Sequence, residues 1–131
     1  MAIGASNNEA QSRWMAEEFS GYEPLCKFLH AEFGAEFTIE QTGGGCHAIL
    51  AKLESGYHVW LTMAVDVLET YRDRVAYDVE GVPAGWAAGI YSPVNDYCEP
   101  VAWAADDRMS VDDHEGVARI VRDALAAATT P

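Results

Sequence analysis

The sequence predicts an α+β fold, an antiparallel sheet of about four to six strands flanked by a bent N-terminal helix and a C-terminal helix. Three observations carry that reading. Thr42 to Asp66 holds two alternating apolar runs around a Glu54-Ser55-Gly56 break, the pattern of a β-hairpin. Trp86 to Tyr91 and Tyr97 to Ala104 read as a second pair of strands joined by Ser92-Pro93-Val94-Asn95-Asp96. Val117, Ile120, Val121, Ala124, Leu125 and Ala128 recur at helical spacing near the end of the chain. With 131 residues, one domain over 1–131 has enough chain to bury a core.

In chain order, residues 1–7 have little to bury and are expected to fray, as are 129–131. Asn8-Glu9 is a helix start, and Trp14, Met15 and Phe19 fall near one face up to Ser20-Gly21. Pro24 suits a first turn, and Leu25, Phe28, Leu29 and Phe33 continue the stripe to Gly34. The segment 9–33 is therefore expected as one bent or broken helix. Glu36 to Glu40 alternates as a half-buried strand, and the hairpin strands follow at 46–54 and 57–66.

With Ser55-Gly56 as a two-residue loop, Leu50 would oppose Leu61, Ala48 would oppose Met63, and Cys46 would oppose Val65 on the packed face. The other face would carry His47, Ile49, Ala51, Leu53, His58, Trp60 and Thr62, which is apolar for a solvated surface. Residues 67–74 fit either a turn of helix or a loop, and Val75, Tyr77 and Val79 alternate as a short strand would. Pro100 cannot donate to a ladder, which pushes its strand to an edge or a bulge. Ser110 is expected to cap the last helix, with Glu115–Arg119 and Arg119–Asp123 as i,i+4 pairs on its outer side.

Charge and composition exclude more than they identify. A net charge of −13 disfavours direct contact with nucleic-acid phosphates and anionic membranes. No apolar run approaches the roughly 18 residues that span a bilayer. The first residues lack a signal-peptide pattern, so a cytoplasmic protein is expected. Three widely spaced cysteines suit a reducing compartment rather than a disulfide framework.

Each candidate chemistry lacks a part. Thr42-Gly43-Gly44-Gly45-Cys46 has the glycines of a phosphate loop, but no lysine follows and the run enters a strand, so a turn or bulge is expected. Cys26, His30, Cys46 and His47 could supply zinc ligands, yet no paired C-x-x-C spacing is present and neighbours in a strand face opposite ways. No metal or cofactor is expected. Cys46 or Cys98 with His58 or His114 could form a thiol–imidazole pair, but no local nucleophile signature accompanies them. The carboxylates Asp106, Asp107, Asp112, Asp113 and Glu115 lack the alternation and central glycine of a calcium loop. They form a candidate acidic surface of solvated helix-entry residues. The candidate interaction surface is the second sheet face, at Trp60, Ile49, His58 and His47.

Thr42–Cys46, the W-A-A-G-I-Y strand Trp86–Tyr91 and the closing helix Val117–Leu125 resemble small uncharacterised accessory proteins of actinobacterial phages. The likeness covers roughly residues 37–126, and no catalytic motif travels with it. It implies a non-structural protein that binds a host protein in the bacterial cytoplasm. The expected function is thus a non-catalytic acidic module binding a host protein, or a second copy of itself, through an apolar sheet face. A polyanion that mimics DNA in a basic groove is the alternative, and a small enzyme with a scattered site is a third.

Overall fold

In the computed structural model the described residues are Ala10, 13–93 and 99–129. The expected helix start at Asn8-Glu9, the frayed ends at 1–7 and 130–131, the Val94-Asn95-Asp96 turn, Tyr97 and Cys98 lie outside them. The elements run α1 (13–19), a single 3-10 turn (Ser20–Tyr22), α2 (Glu23–Phe33), β1 (Thr38–Gly43), β2 (Cys46–Lys52), β3 (His58–Thr62), α3 (Tyr71–Glu80), β4 (Trp86–Tyr91), β5 (Ala102–Asp106) and α4 (His114–Thr129). All five strands form one antiparallel sheet in the order β1-β2-β3-β4-β5. The α+β class is as the sequence indicates, and β5, which follows Pro100, is an edge strand.

The bend near the N-terminus falls at the 3-10 turn. A side chain at Gly21 would come within 2.1 Å of the Tyr71 ring, so glycine there lets the turn lie against α3. Leu25 and Leu29 of α2, and Val117, Ile120, Val121 and Ala124 of α4, are buried against Ile49, Ala51, Val59, Leu61, Ala88 and Ile90 of the sheet. Removing each large aliphatic chain from water contributes about 1.5–3 kcal/mol before ordering costs.

The hairpin register differs from the expected one by a residue. Ile49 pairs with Leu61, Leu50 with Trp60, Ala51 with Val59 and Lys52 with His58. The loop holds three residues rather than two: Gly56 N–H donates to Leu53 O at 2.9 Å, and Leu53 N–H donates to Tyr57 O at 2.9 Å. Gly56, at φ 95°, supplies the left-handed residue that closes such a loop. One extra loop residue flips β2 relative to β3. Ile49 and Ala51 therefore join Val59 and Leu61 in the core, and Leu50 moves to the face of Trp60.

Residues 71–80 are helix, which corrects the strand expected from Val75, Tyr77 and Val79. The Thr70 hydroxyl accepts from Asp73 N–H at 3.3 Å, a cap that outweighs the short alternation. Inside α3, Arg74 is fully buried. Its guanidinium pairs with Asp78 and donates to Gly85 O at 3.1 Å and Met109 O at 2.9 Å, while lying over the Trp86 ring. Asp78 in turn accepts from Val111 N–H at 2.8 Å, which fastens α3 to the lead-in of α4. The cap of α4 is Asp113, which accepts from Gly116 N–H at 2.9 Å, in place of the expected Ser110. Arg119 sits 3.9 Å from Asp106, and Arg122 pairs with Glu32 of α2 at 2.5 Å, so these cations reach across to other elements.

Candidate functional site

The described helices pack on one side of the sheet, and alternation sends every second strand residue to the other side. Across that open side the pairings place Thr38, Leu50, Trp60, Gly89 and Trp103 in one row. Lys52, His58 and Tyr91 form the next row. The Trp60 and Tyr91 rings have centroids 5.0 Å apart, tilted by 44°. A Cβ at Gly89 would lie 3.5 Å from the Tyr91 ring and 3.6 Å from Pro100, so both lean over the glycine and fill the gap between the two indoles. Trp103 is 57% exposed and Val101 is 42% exposed, whereas Leu50, Trp60 and Tyr91 are half-buried. Partial burial raises the Tyr91 phenol above its ordinary range.

The resulting patch is an aromatic ridge, Trp60–Tyr91–Trp103, with Leu50 and Pro100 filling in and Thr62, His58 and Lys52 around it. Tryptophan and tyrosine with a polar rim are the composition of protein-binding surfaces. Of the four residues expected on an interaction face, Trp60 and His58 lie here. Ile49 and His47 do not: Ile49 has no exposed surface, and His47 is buried against Phe19 and Trp14 at centroid distances of 4.7 and 5.7 Å. The one-residue shift in β2 accounts for both, and also puts Cys46 outside the buried core. Leu50, Tyr91 and Trp103 were absent from the expected face. The small residues Ala102 and Ala104 alternating with Trp103, and Ala88 and Ile90 alternating with Gly89 and Tyr91, are the signal that would have placed them.

The carboxylates of the acidic surface are largely occupied in holding the β5–α4 connection. Asp106 accepts from Arg108 N–H at 2.9 Å, Asp112 accepts from the Tyr71 hydroxyl at 3.1 Å, and Asp113 caps α4. Asp107 and Glu115 are exposed. Beside them opens a cleft of about 420 Å³, lined by Asp78, Gly85, Asp107, Arg108, Met109 and Ser110. The Arg74 pair lies at its back, because Asp78, Gly85 and Met109 are that side chain's own partners.

The remaining candidates are dispersed. Cys26 lies on α2, and burial followed by the nearby Glu23 pushes its thiol up to about 11, so it is protonated at neutral pH. His30 Nδ1 is 3.0 Å from Ala35 O, and the His114 ring packs 5.8 Å from Phe28. Gly43, Gly44 and Gly45 all have positive φ and turn β1 into β2, with a strand and not a helix following. Among the described residues, no three His, Cys, Asp or Glu side chains converge as metal ligands, and no helix is long and apolar enough to cross a membrane. No family model matches this sequence, and no curated protein or solved structure matches it.

Proposed function

We propose that this chain is a small acidic, non-catalytic binding module that docks another protein on the open face of its sheet, with Trp60, Tyr91 and Trp103 as anchors. One observation carries the reading. Among the described residues the helices pack on one face, and the other presents an indole, Trp103, that is 57% exposed, in the same cross-strand row as Trp60, whose ring packs on Tyr91. Leaving so much aromatic surface in water forgoes burial that a partner would supply. The likeness to phage accessory proteins supports a host protein in the bacterial cytoplasm as that partner.

The test is site-specific photo-crosslinking from position 58, at the rim, in host lysate. Trp60→Ala and Trp103→Ala should each lower capture of one defined species about tenfold, a hot-spot loss, with the melting temperature nearly unchanged. A sharp fall in melting temperature for Trp60→Ala would make the indole ordinary core and remove the site. Capture that collapses with added salt and depends on Asp107 and Glu115 instead would replace this reading with electrostatic mimicry of DNA.

A further inference from the structure

Granted that the open face docks a protein, we infer that the segment it takes is a polyproline II stretch with prolines three residues apart and a basic residue three positions beyond one of them. Spacing is the first reason. Trp60 and Trp103 share one cross-strand row with Gly89 between them, so their backbones stand two strand intervals apart, about 9.6 Å. A polyproline II helix repeats every three residues, about 9.3 Å, so prolines at i and i+3 meet the two indoles in turn. A strand repeats on one face at about 6.7 Å and meets only one of them. The two residues between the prolines cross Gly89, where no side chain rises and Tyr91 and Pro100 form the floor.

Hydrogen-bonding capacity selects the same class of ligand. Neither indole N–H has an acceptor among the described residues, and the half-buried Trp60 keeps its own open to solvent. A polyproline II segment leaves its carbonyls free of internal bonds, and proline has no N–H to compete, so it offers acceptors where this face offers donors. A helix reaches a comparable spacing, about 10.5 Å at i,i+7, but spends its carbonyls within itself. Charge sets the ends of the segment. The row continues from Trp60 through Leu50 to Thr38, a further two strand intervals, and Thr38 Oγ1 donates to Glu40 at 2.7 Å, which sets that carboxylate at the β1 end. At the β5 end, exposed Glu99 and Asp107 stand four residues before and after Trp103. A residue three positions from the proline on Trp60 therefore reaches Glu40, and an arginine or lysine there pairs with it. The net charge of −13 draws such a basic segment in.

Titration of the full native chain with the synthetic peptide R-P-A-P-P-A-P tests this, read from the indole N–H resonances of the protein. The signals of Trp60 and Trp103 should shift saturably, and those of Trp14 and Trp86 should not. Alanine in place of the fourth or seventh peptide residue should weaken binding about tenfold, because each removes a proline from an indole. Alanine in place of the second or fifth should change it less than about threefold, because those residues face away. Glutamate in place of the arginine should weaken binding about fivefold. No shift at millimolar peptide overturns the proposal, and so does equal sensitivity at all four proline positions or indifference to the arginine. The docking reading is tested separately by crosslinking from position 58. Trp60-dependent capture without peptide binding removes the polyproline ligand and keeps the docking face, as a helical or strand-forming partner would give. Loss of both removes the two together.

Discussion

Ile49 and Leu50 are neighbours in β2 with nearly the same side-chain volume, yet Ile49 has no exposed surface and Leu50 is half-exposed. The same division runs through the other strands. Val59 and Leu61 are shut under the helices while Trp60 between them is not, and Ala102 and Ala104 point inward while Trp103 points out. Hydrophobicity alone therefore does not separate what holds this protein together from what it presents. In β5 small residues mark the side on which α4 packs, and Trp103 marks the side with no described helix above it.

That division has measurable consequences. The strongest concerns the covered side. Arg74→Ala removes one partner of a buried pair and leaves Asp78 and two carbonyls without their donor, so urea denaturation should show a loss of about 3–5 kcal/mol. A loss as small as that of a surface substitution would mean that α3 is not held by this side chain. A closer comparison is between the neighbours themselves. Ile49→Ala should cost about 2–5 kcal/mol through a cavity that cannot collapse, and Leu50→Ala only about 1 kcal/mol. Equal losses would erase the distinction between the faces and restore the two-residue loop. The smallest effect lies at Glu69, whose carboxyl is raised by burial first and then by Asp66 and Asp73. An acid with a raised folded pKa takes up a proton on folding, so its contribution is favourable at low pH and is lost as pH rises through the raised value. Glu69→Gln should accordingly melt slightly higher at neutral pH, and the difference should vanish in acid; a uniform difference at all pH values would exclude titration as the cause.

Much of the architecture could be read from local pattern. Trp86 to Tyr91 is a strand with the predicted bounds, and the stripe on α4 faces the sheet because its period matches a helix. Phe37 and Ile39 alternate with exposed Glu36, Thr38 and Glu40 as expected. The hairpin register was not legible, because Ser55-Gly56 suits a two-residue loop and Glu54-Ser55-Gly56 suits a three-residue loop equally well. Only the packing of Ile49 under the helices decides between them. The candidate site inherited that error: Trp60 was found from β3 alone, whereas its β2 neighbours were assigned from the wrong side of the strand. α3 was missed because Val75, Tyr77 and Val79 imitate a strand over five residues, and the buried arginine that rewards the helix finds its acceptors only in tertiary structure.

Arg74 also sets the order in which the chain can finish folding. Its acceptor at Met109 lies 35 residues further along, and the amide that satisfies Asp78 belongs to Val111. During synthesis α3 emerges well before either group exists, and until they do the guanidinium keeps its water. The segment 71–80 is then a highly charged stretch whose guanidinium lacks the acceptor at Met109. Growth of β5 and the α4 lead-in acts as the latch. A nascent chain stalled before residue 109 would hold an undocked α3, and release of the remaining residues would supply the acceptor at Met109 and the amide of Val111 together.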